Sequence, residues 1–84
     1  MIHYLIVCRS LTYAQRTARV LERVGIGSHV MRTPKTISTE GCNYCVKIAE
    51  RKLADALKVL KRENMAPKQV YLQDRDGMFS EVYQ

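Results

Sequence analysis

The chain has 84 residues, a net charge of +6 and a hydrophobic share of 46%. That length makes it one domain over residues 1–84 with a modest core, which a homodimer would extend, and the composition excludes a disordered chain. No apolar run is long enough for a membrane span.

Residues 2–8 read as a strand. Ile2, Tyr4, Ile6 and Cys8 fall on one face, and His3, Leu5 and Val7 on the other. Apolar residues on both faces point to a central strand. Ser10 is placed to cap a helix in which Leu11, Ala14, Ala18, Leu21 and Val24 form the expected apolar stripe. Gly25 suits the left-handed position that ends it.

Residues 28–32 read as a short second strand, and residues 33–41 as a polar loop. Tyr44, Val46 and Ile48 then alternate with Cys45 and Lys47, the pattern of a third, half-buried strand. Residues 50–63 predict the second helix, with Leu53, Leu57 and Leu60 as its stripe and Asn64 at its end. Its acids lie early and its bases late, in agreement with the helix dipole. Residues 69–73 predict a fourth strand, and Asp74-Arg75-Asp76-Gly77 a turn. Residues 78–83 can pair back as a fifth, edge strand. The order β-α-β-β-α-β defines an α+β class, a ferredoxin-like two-layer sandwich with two helices on one sheet face.

Three cysteines, Cys8, Cys42 and Cys45, argue against a disulfide scaffold. The absence of a basic, export-type leader sets the expectation of a cytoplasmic protein with free thiols. Cys8 reads as a small core residue. Cys42 stands at the end of the polar loop, after Pro34, which stiffens the entry, and Gly41, which permits close backbone approach. Lys35, Lys47 and Arg32 would lower its pKa if the fold brought them near.

Cys42 and Cys45 form a C-x2-C pair open to three readings. A zinc or iron–sulfur half-site needs further ligands, and Cys8, His3 and His29 have no metal-ligand spacing. No metal or other cofactor is therefore expected. A thioredoxin-like pair belongs at a helix N-terminus, whereas this pair precedes a strand. The third reading, one reactive thiol at Cys42 with Cys45 incidental or resolving, fits best.

His3 and His29 are isolated, and there is no Ser/His/Asp set, carboxylate pair or Gly-rich phosphate loop. A carrier or binding protein is favoured over a stand-alone enzyme. The charge suits anionic partners, but Tyr4 and Tyr44 share the core face, which argues against RNA stacked on the open sheet. Arg16, Arg19 and Arg23, with Lys58, Lys61 and Arg62, form either a solvated face or a docking face for an acidic protein.

Over residues 1–73 the sequence resembles a family of small bacterial and archaeal selenium/sulfur carrier protein-like domains. The resemblance rests on residues 4–10, Ala14, Gly25-Ile26, Pro34-Lys35-Thr36-Ile37-Ser38 and Gly41-Cys42. Asn43 departs from the family's glycine and Arg32 from a frequent proline, and the step from Ser38 to Cys42 is one residue longer. The resemblance implies a chalcogen carrier. Cys42 would hold sulfur or selenium as a persulfide or selenosulfide, and Pro34, Lys35, Ser38, Gly41 and Asn43 would form its binding loop. The implied partners are a cysteine desulfurase-like donor and an acceptor protein. The competing function is a non-enzymatic interaction or regulatory module, whose binding would ignore thiol alkylation.

Overall fold

A computed structural model describes residues 2–38 and 43–83. The elements are β1 (His3–Cys8), α1 (Leu11–Arg23), β2 (His29–Arg32), β3 (Tyr44–Ala49), a 3-10 turn (Glu50–Lys52), α2 (Leu53–Arg62), β4 (Val70–Gln73) and β5 (Phe79–Tyr83). The five strands form one antiparallel sheet in the order β2-β3-β1-β4-β5. The molecule is a mixed α+β structure, and β5 extends the sheet beyond a simple four-stranded βαββαβ arrangement.

β1 lies at the centre of the sheet because it is the strand with apolar side chains on both faces. Leu5, Ile6, Val7 and Cys8 are all buried. Ile6 and Cys8 join Val46, Ile48 and Val70 in one cluster with Ala14, Val20 and Leu21 of α1 and Ala56, Val59 and Leu60 of α2. Both helices therefore cover the same sheet face. At about 1.5–3 kcal/mol for each large apolar side chain removed from water, this cluster is the main source of stability.

The helix stripes differ from the sequence expectation at their edges. In α1 the buried residues are Ala14, Thr17, Val20 and Leu21, while Leu11 and Val24 are exposed. Those two occupy the first position and the C-cap, where the helix has already turned from the sheet. The second helical segment begins as a 3-10 turn without a side-chain cap, and its α-helical part starts only at Leu53.

Both helices end the same way. Gly25 (φ 81°) and Asn64 (φ 60°) adopt the left-handed conformation. The Ile26 amide then donates to the Leu21 carbonyl at 3.0 Å, and the Met65 amide to that of Leu60 at 2.7 Å. These are Schellman closures, each with its apolar residue, Ile26 or Met65, folded into the core. The turn before β5 is built by Asp74, whose Oδ1 accepts from the Asp76 and Met78 amides, both at 2.9 Å, with Gly77 at φ 81°.

Candidate functional site

The segment between β2 and β3 is positioned by the sheet. Tyr44 stands opposite Cys8 of β1 and Arg32 of β2. One step further, the Thr33 amide donates to the Asn43 carbonyl at 2.9 Å, so the pairing continues past the ends of both strands. Beyond Thr33 the chain makes a single tight turn. The Pro34 carbonyl accepts from the amides of Ile37 (3.1 Å) and Ser38 (2.9 Å). Ser38 Oγ then donates to Asn43 Oδ1 at 3.3 Å.

Three of the expected loop residues, Pro34, Ser38 and Asn43, thus build a closed base. Lys35 is exposed on the turn. Gly41 and Cys42 lie outside the described residues.

The two described cysteines, Cys8 and Cys45, have different surroundings. Cys8 is 4% exposed and belongs to the core cluster, with its Sγ 3.6 Å from the Ile6 carbonyl and 4.0 Å from Thr17 Oγ1. Cys45 lies between Val7 and Met31, on the face away from the helices. An open face was expected there, yet Leu5 and Cys45 are fully buried. β1 and β3 are interior strands of a five-stranded sheet, so each side chain there has neighbours on both flanks.

Burial pushes the Cys45 thiol up from its ordinary pKa; the Thr33 hydroxyl and the Lys47 charge pull it down, and burial prevails. The hydroxyl does not reach hydrogen-bond geometry, for Thr33 Oγ1 is buried without a partner among the described residues. Cys45 is therefore a covered, protonated thiol, a poor nucleophile as it stands.

Of the basic residues, Lys47 acts on Cys45, while Arg32 lies over the Tyr44 ring at 5.5 Å. His3 and His29, isolated in sequence, both line a shallow cavity with Lys47 at the opposite end of the sheet. Among the described residues no group of three or more His, Cys, Asp or Glu side chains could hold a metal ion, and no helix is long and apolar enough to cross a membrane.

Sequence reasoning missed a second cavity, bordered by Arg9, Tyr13 and Lys68. No sequence signal marks it, because it depends on the pairing of β1 with β4.

The segment that leads from β2 to β3 is thus anchored at Thr33, Ser38 and Asn43. The family described as "Putative Se/S carrier protein-like" matches residues 3–72 of the chain, and the protein belongs to that family. Comparisons with curated proteins and with solved structures gave no match.

Proposed function

We propose that the protein is a sulfur or selenium carrier that holds the chalcogen on Cys42. The observation that carries the reading is the family match across residues 3–72, which takes in the whole Pro34-to-Asn43 segment. Two features of the surroundings support it. Ser38 and Asn43, which flank residues 39–42 in the sequence, are joined by a hydrogen bond. Cys8 and Cys45 are buried, which leaves Cys42 as the thiol for exchange.

In the loading step the Cys42 thiolate attacks the terminal sulfur of a donor persulfide. A new S–S bond forms to Cys42, the donor's S–S bond breaks, and the donor leaves as a thiolate. No external oxidant is needed. Selenium follows the same course through a selenosulfide. Delivery is the reverse, with Cys42 as the leaving thiolate. A cysteine desulfurase-like enzyme is the donor class that makes such a persulfide, and a reducing cytoplasm suits a carrier with free thiols. Cys45 takes a resolving role only when the sheet around it opens. We read the fold as ferredoxin-like with β5 added beside β4; the order β2-β3-β1-β4 and the one-sided helices support that reading.

Intact-mass analysis after exposure to a persulfide donor tests the function. Gain of one sulfur atom, removed by reductant and absent in Cys42→Ser, is the expected result. An adduct that persists in Cys42→Ser, or no adduct on a reduced protein, rules the reading out.

A further inference from the structure

We propose that the cavity between the end of β1 and the segment before β4 binds a small carboxylate with a compact apolar body, of about the size of benzoate. The cavity has a volume of about 180 Å³, and its walls include Val7, Ala66, Pro67 and Tyr13, with Arg9 and Lys68 at its border. That volume is below the roughly 300–1,000 Å³ of sites for drug-sized ligands, so a single ring or short aliphatic chain is the matching scale.

The charge around the cavity selects the ligand's sign. Among the described residues neither Arg9 nor Lys68 is ion-paired. Arg9 lies over the Tyr13 ring, 4.6 Å from its centroid, so its guanidinium is already held in place.

The walls select the ligand's body. A bare inorganic anion would lose hydration against Val7, Ala66 and Pro67 and gain little from them. A neutral ring would fill the walls and leave both cations without an anionic partner. A singly charged carboxylate on an apolar body uses both features. The assignment uses none of the carrier chemistry, and none of the described residues of the 34–43 segment lines the cavity.

The test is a titration of the full chain followed through its backbone amide resonances, with benzoate, benzamide and sulfate as separate probes. Benzoate is expected to shift amides of residues 7–13 and 66–69 in a saturable way. Benzamide and sulfate are expected to bind at least about tenfold more weakly, the loss of one charge-assisted contact or of the apolar fit. The double variant Arg9→Gln, Lys68→Gln should weaken benzoate by at least the same factor. Absence of saturable shifts at those amides, equal binding of benzamide or sulfate, or unchanged binding by a folded double variant overturns the assignment. The benzoate–benzamide comparison on the unaltered protein decides the matter even if the variant does not fold.

Discussion

Ser38 and Asn43 are joined by a 3.3 Å hydrogen bond, hydroxyl to amide oxygen, across the four residues that include Cys42. With the Thr33-to-Asn43 backbone bond, it ties both ends of that segment to the β2–β3 pair. A thiol on a closed segment meets its partner with less ordering to do than one on an open chain. Ser38→Ala should therefore slow sulfur loading by about two- to fivefold, the equivalent of a bond worth roughly 0.5–1 kcal/mol. Thermal stability should change little, because the bond is exposed. Loading kinetics and a melting curve on the same variant check both halves.

Cys45 gives a pH prediction. Its folded pKa is raised, so above the ordinary thiol pKa of 9.0 the unfolded chain releases a proton that the folded chain retains. Unfolding is then favoured as pH rises, by up to about 1.4 kcal/mol per pH unit. The effect is absent below that pH. Replacing the thiol in Cys45→Ala should flatten the alkaline fall in stability relative to wild type, although it lowers stability near neutrality by about 1 kcal/mol. Denaturant midpoints from pH 7 to 10 on both proteins measure this. Parallel alkaline slopes would mean that the Cys45 thiol does not titrate late.

Thr33→Val removes a buried hydroxyl that has no hydrogen-bond partner among the described residues. It should leave stability unchanged or raise it by about 1 kcal/mol, because an unsatisfied buried polar group is destabilising. It should also raise the Cys45 pKa further, since the hydroxyl favours the thiolate. A loss of more than about 1 kcal/mol in urea unfolding would show that the hydroxyl has a partner in solution.

The two helix ends predict an asymmetry. Gly25→Ala places a side chain at φ 81° and should cost about 1–2 kcal/mol, although the space around it is open. Asn64→Gly keeps the left-handed conformation at φ 60° and should be neutral within about 0.5 kcal/mol. Urea midpoints of the two variants make the comparison.

Local features were legible in the sequence. The two-sided apolar pattern of Leu5, Ile6 and Val7 marks the central strand, Ser10 caps α1 by accepting from the Tyr13 amide at 3.1 Å, and Gly25, Asn64 and Asp74 mark chain reversals. Features that depend on pairing between distant segments were not. Alternation assigns Cys45 to the face opposite Tyr44, but only the position of β3 inside the sheet buries it. Leu11 was expected in the stripe because it is apolar and correctly spaced, yet it precedes the stretch of helix that meets the sheet. The cavity beside Arg9 and Lys68 joins residues from opposite ends of the chain. The Pro34–Ser38 run marks the candidate site in the sequence, while its closure onto Asn43 required the fold.

The most direct test of the carrier account follows labelled sulfur from a desulfurase-bound persulfide to the wild-type protein, Cys42→Ser and Cys45→Ala. The account predicts one labelled, reductant-sensitive sulfur per chain in wild type and Cys45→Ala, and none in Cys42→Ser. Equal labelling of Cys42→Ser, or loss of labelling in a folded Cys45→Ala alone, would contradict it.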